Sequence, residues 1–147
     1  MKSDRSEAPP LTHRYEIIDH TADTGIETGG DTLADAIGNS AFAMFDLMYD
    51  LSSIPAERSV TFELAAVSPP ELLVDVLSEL LLRSETDDLV FTEFRVFESG
   101  MRATVDASVG SMRGLELRGP PIKAVTYHDL ECAPAGGGWK VRVIFDV

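Results

Sequence analysis

The sequence predicts an α+β fold: a single domain with a mostly antiparallel β-sheet system and two main α-helices packed on it. Three observations carry this. Two short strand patterns are followed by a helix, a strand and a second helix. The last third then alternates apolar and polar residues at period two. Few of the connections have the length that a parallel βαβ crossover needs.

Residues 1–12 mix Ser, Pro-Pro and both charges without periodicity, and read as a disordered N-terminal arm; residues 13–147 form the domain. Tyr15, Ile17 and Ile18 mark a first strand running into Asp19. Thr24–Thr28 marks a second, closed by a Gly29-Gly30 turn. Asp31 reads as a helix N-cap. Leu33, Ile37, Ala41, Met44 and Met48 follow as a one-sided apolar stripe. Met44 and Met48 share that spacing, so they are core residues before they are a partner-binding stripe.

Val60, Phe62, Leu64 and Ala66 alternate with Ser59, Thr61 and Glu63 as a half-buried strand. Ser68-Pro69-Pro70-Glu71 is a helix start: a capping hydroxyl, proline where no N–H is needed, and a capping-box glutamate. The broad apolar face from Leu72 to Leu81 predicts a buried helix ending near Ser84, before a loop over 85–88. Val90, Thr92, Phe94 and Val96 then share one strand face. A Ser99-Gly100 turn leads to Met101, Ala103, Val105, Ala107 and Val109 on the next strand. Residues 110–121 form a long connection with room for a short strand at 115–117. Residues 122–131 read as extended, 134–138 as a turn, and 139–147 as a final strand.

Composition excludes several function classes. Acidic residues outnumber basic ones 25 to 12, giving a net charge of −13. Nucleic-acid affinity comes largely from Lys and Arg neutralising phosphates, so stable direct binding of RNA or DNA is not expected. Such acidity suits a basic protein partner, cations, or plain solubility. No apolar run approaches a membrane span, and Met1–Pro10 has no apolar signal-peptide core, so a cytoplasmic, membrane-free protein is expected. The single cysteine, Cys132, excludes an intrachain disulfide and a Cys-rich metal site. The sequence lacks a G-x-S-x-G elbow, a phosphate loop and an H-E-x-x-H motif.

What remains is an acidic segment, Asp19-His20-Thr21-Ala22-Asp23, and the closing Asp146-Val147. Together they offer hard oxygen donors suited to Ca²⁺ or Mg²⁺. The competing reading of Asp19 and Asp23 is turn chemistry, in which Asp side chains cap backbone N–H groups. His20 and His128 read first as hydrogen-bonded structural histidines. Lys123 reads as a surface lysine, Cys132 as a small packing residue, and Trp139 as a core or sheet-face aromatic. In the final strand Val141, Val143, Phe145 and Val147 share a face, and Asp146 points to the other. Paired carboxylates leave metal-assisted hydrolysis open as a rival reading.

The sequence resembles the archease family. The resemblance is carried by Asp19-His20-Thr21-Ala22-Asp23 with Gly25-Ile26, by Ala41-Phe42-Ala43-Met44-Phe45-Asp46-Leu47-Met48, and by Leu89-Val90-Phe91. Lys123-Ala124-Val125-Thr126-Tyr127-His128 and Val143-Ile144-Phe145-Asp146-Val147 complete it. It runs from about His13 to Val147. It implies a non-catalytic activator of the RtcB-type RNA ligase of tRNA splicing, promoting guanylylation of the ligase's active-site histidine and multiple turnover. It also implies a divalent metal, Ca²⁺ foremost with Mg²⁺ or Mn²⁺ as alternatives, held by Asp23, Asp146 and a main-chain or terminal oxygen of Val147. Asp19, His20, Lys123 and His128 are additional site or partner-contact candidates on the same grounds. The sequence departs from the family pattern at Thr24, at Pro120-Pro121 and over 83–88. A general chaperone or adaptor, with a purely structural acid cluster, is the alternative.

Overall fold

The computed structural model describes residues 15–20 and 23–147, without the side chains of Asp19 and His20. The predicted arm and the Thr21-Ala22 step lie outside the described residues. The described elements are β1 (Glu16–His20), β2 (Asp23–Gly30), α1 (Leu33–Met48), β3 (Arg58–Ala65), α2 (Pro69–Asp87) and β4 (Leu89–Ser99). They continue with β5 (Arg102–Ser111), β6 (Ala124–Val125), β7 (Glu131–Ala135) and β8 (Gly138–Asp146).

These build an α+β domain of two antiparallel sheets. The first runs β1-β2-β8, with β6 and β7 lying end to end along the far edge of β8; the second runs β3-β5-β4. Helix α1 packs against β2 and β8 of the first sheet and against β4 of the second. Leu33, Ile37, Met44 and Met48 are buried as the stripe predicts, but so are Gly38, Asn39, Ser40 and Ala43. The buried surface is therefore wider than one stripe, and only a narrow strip through Asp35, Phe42 and Asp46 stays partly open to solvent. Small residues, Gly38, Ser40, Ala41 and Ala43, lie along the buried surface, and Val96 of β4 packs beside Gly38 at ordinary contact distance. Phe45 of α1 meets Phe91 and Phe94 of β4 with ring centroids 5.6 and 6.0 Å apart. Helix α2 covers the second sheet and reaches β6 and β7 of the first.

Several local expectations are corrected. The N-cap of α1 is Thr32, whose side chain accepts from Asp35 N–H at 3.1 Å; Asp31 stands one residue too early. Gly29-Gly30 is no turn but the end of β2, paired with Lys140 and Trp139. A Cβ at Gly29 would stand 2.2 Å from Trp139 O, so close strand approach requires the glycine.

Ser68 caps α2 as expected, accepting from Glu71 N–H at 3.4 Å, while Glu71 reaches back to Val67 N–H at 3.2 Å. Residues 85–87 are helical rather than loop. Asp88 in the left-handed conformation (φ 56°) ends α2, and β4 starts at the next residue.

A bulge at Thr92 shifts the register between Phe91 and Glu93. It puts Phe91 on the core face with Phe94 and Val96, and breaks the predicted Val90-Thr92-Phe94-Val96 face. No strand forms at 115–117. Nor is 122–131 continuous: β6 stops at Val125, and a turn over 127–130 leaves the sheet before β7 begins. Gly136 and Gly137, at φ 56° and 83°, make the two-residue β7–β8 turn. Among the described residues no helix is long and apolar enough to cross a membrane.

Candidate functional site

The two acidic segments meet through strand register. Strands β2 and β8 pair antiparallel, and Asp23 stands directly opposite Asp146. Directly opposed residues project to the same face, so the two carboxylates share one face at the end of the sheet. Thr24, Ile26, Val143 and Phe145 alternate to the core face, where Ile26, Val143 and Phe145 are fully buried. Asp23 is half-buried and Asp146 is exposed.

Beneath the acid pair the next two positions form an apolar floor. Gly25 pairs with Ile144, which is fully buried although it lies on the face opposite the core. A Cβ at Gly25 would stand 2.7 Å from Ile144 Cδ1 and 2.6 Å from Val143 O. Ile144 therefore occupies the space that a side chain at 25 would fill. Two positions farther along, Glu27 and Arg142 also face each other and form an ion pair of 2.5 Å.

That contrast makes the acid pair notable. One cross-strand pair on this face is matched in charge, while the other sets two carboxylates together. Like charges directly opposed destabilise a sheet. Neither Asp23 nor Asp146 has an ion-pair partner among the described residues. Within those residues no three His, Cys, Asp or Glu side chains converge. Two carboxylates and nearby main-chain oxygens are the hard donors that Ca²⁺, Mg²⁺ or Mn²⁺ take, and they fit such an ion.

The other candidates are distributed around this edge. Asp19 pairs with Thr24 and His20 with Asp23 along the β1–β2 ladder; their side chains lie outside the description. Lys123 donates its backbone N–H to Asp146 O at 2.7 Å, and Ala124 then pairs with Asp146. The Lys123 side chain is exposed, with no ion-pair partner among the described residues. The Val147 side chain packs against the core. His128 is not paired with β8: its N–H donates to Thr126 Oγ1 at 3.2 Å, and Nε2 lies 3.4 Å from Asp129 Oδ2 in the 127–130 turn. The structure thus brings Asp23, Asp146 and the Lys123 backbone together and carries His128 off the strand.

Cys132 and Trp139 take their bland roles: Cys132 is buried, which pushes its thiol up to about 11, and Trp139 packs on the core. Sequence reasoning passed over Gly25 as a determinant of the site. It entered only as part of the resemblance, in Gly25-Ile26, and its position two residues after Asp23 was the local signal.

A small sheet domain with an acidic corner defines the class. The chain matches the archease protein family over residues 15–147. It is 37% identical to protein archease of Methanosarcina barkeri, over 91% of this chain and 96% of that one. It is 34% identical to protein archease of Methanosarcina mazei, over 95% and 99%. Among solved structures it is similar to protein 1598 of Methanobacterium thermoautotrophicum, with a TM-score of 0.74, 30% identity, and 92% and 100% of the two chains covered. The fold is also shared with an archease of Thermotoga maritima, described as a possible chaperone, at a TM-score of 0.65 and 21% identity, over 93% and 100%. The chain belongs to the archease family.

Proposed function

We propose that this protein is a non-catalytic activator of an RtcB-type RNA ligase in tRNA splicing or RNA repair. It promotes guanylylation of the ligase's active-site histidine and thereby repeated turnover. Family membership supports this reading, and the observation that carries it is the Asp23–Asp146 pair, two carboxylates held face to face at the end of the sheet. Asp23, Asp146 and a main-chain oxygen of Val147 would hold a divalent cation, Ca²⁺ foremost. When bound, the ion would neutralise the two facing carboxylates and relieve their repulsion at the end of the β2–β8 ladder.

The chain's own residues supply the rest. The β2–β8 ladder fixes the separation of the carboxylates, and Ile144 over Gly25 keeps water from beneath them. Lys123, just before β6, has an exposed side chain and would meet an acidic or phosphate group of the partner. Net negative charge speeds encounter with a basic ligase surface.

The test is ligation under limiting enzyme and excess RNA, with wild type, Asp23→Ala and Asp146→Ala. Wild type should raise the turnover number, and either substitution should cut that stimulation by about tenfold or more, as loss of a charged contact does. Unchanged stimulation by both variants would sink the proposal. Suppressed aggregation of unrelated clients, with no effect on the ligase, would point to a general chaperone or adaptor instead.

A further inference from the structure

The C-terminus of α1 is capped by a distant segment, and that segment leads directly to the acid pair. The last four carbonyls of a helix have no intrahelical donor. Here Phe45 O accepts from Tyr49 N–H at 2.9 Å. Asp46 O accepts from Arg118 Nε and Nη2 at 3.1 and 2.9 Å. Met48 O accepts from Arg118 N–H at 2.6 Å. Between them, Leu47 O faces Gly119 so closely that a Cβ there would stand 2.3 Å away. The Arg118 guanidinium also pairs with Asp46 Oδ1 at 3.0 Å, and Asp46 Oδ2 accepts from the Tyr15 hydroxyl at 2.8 Å. One residue thus caps the helix, opposes its negative dipole end and neutralises a carboxylate.

From this anchor the chain has little freedom. Pro120 and Pro121 have fixed φ, and each restricts the residue before it. Ile122 is buried, its N–H 3.3 Å from Met48 Sδ. The next N–H, of Lys123, reaches Asp146 O. We propose that residues 118–123 are a stiff strut between the end of α1 and the acid pair. In it Arg118 is a positioning residue that sets Lys123 beside Asp146. The functional side of this inference rests on the role given to Lys123 and the acid pair above.

Amide hydrogen exchange tests the strut without the ligase. In Arg118→Met the side-chain stem remains and the fork is lost; Arg118→Lys keeps the charge alone. Protection of the Lys123 amide should fall by about tenfold or more in Arg118→Met, beyond any change at Ile37 and Val143, which report global opening. Arg118→Lys should lie between the two. Should Arg118→Met not fold, Arg118→Lys carries the same comparison. Lys123 protection that is unchanged, or that falls only in step with Ile37, overturns the strut.

A double-mutant cycle on ligase stimulation then tests the coupling: Arg118→Met should add nothing to Lys123→Met. Additive losses would mean that Arg118 does not act through Lys123. Absence of stimulation by wild type would defeat the proposed function, while the exchange comparison still decides the strut.

Discussion

A single methyl group at position 25 would press on the strand that carries Asp146. It would stand 2.6 Å from Val143 O and 2.7 Å from Ile144 Cδ1, and the first of these is backbone that cannot rotate away. Ile144 is fully buried beside the Asp23–Asp146 position, so the strain spreads into the ladder that sets the two carboxylates. Gly25→Ala should therefore cost about 1–3 kcal/mol, the usual price of overpacking, read as a lower urea midpoint. Equal midpoints for variant and wild type would show that β2 and β8 accommodate the methyl. None of this was legible locally. A glycine inside a strand pattern, a turn glycine and a close-approach glycine look alike in sequence, which is also why Gly29-Gly30 was expected to turn. Deciding among them needs the residue on the neighbouring strand.

At the scale of elements, signals carried by adjacent residues were readable and signals set by distant partners were not. Ser68-Pro69-Pro70-Glu71 starts α2 where the capping chemistry places it. The end of α2 was misplaced because polarity at 85–87 suggested a loop, whereas the stop is the left-handed Asp88. The turn over 127–130 was hidden because its residues alternate like a strand; only pairing with β8 reveals that 126–130 face 143–144 alone.

The junction of Tyr15, Asp46 and Arg118 is of the distant kind, and it has a titratable consequence. Burial, then the hydrogen bond and charge of Asp46, push the Tyr15 hydroxyl from 10.0 up to about 12. Its folded value lies above its unfolded one, so its contribution is fully present below about pH 10 and is lost as pH rises toward 12. Burial raises the Cys132 thiol from 9.0 to about 11, with the same sign from about pH 9. Urea midpoints should fall across pH 9–11.5, and Tyr15→Phe should flatten the part above pH 10. A variant with the wild-type slope would show that the Tyr15 proton does not tie β1 to α1.

On the whole-molecule scale, the antiparallel α+β class follows from period and element order. The enclosure of α1 between two sheets does not, because a stripe on one helix face cannot announce a second sheet on the other. The acid pair is a similar case. Asp23 and Asp146 are separated by nearly the whole chain, and only the β2–β8 register makes them neighbours.

That neighbourhood sits in a molecule of net charge −13, where any salt relieves general repulsion. Calcium at matched ionic strength separates the general effect from the local one. NaCl should raise the melting temperature of wild type, Asp23→Asn and Asp146→Asn alike. CaCl₂ should raise wild type further, because an ion that binds only the folded state adds about 2.7 kcal/mol at a hundred times its dissociation constant. The excess should vanish in both Asn variants, which keep the shape and remove one charge from the facing pair. If the two salts act equally on wild type, or the calcium excess survives both substitutions, Asp23 and Asp146 do not hold the ion.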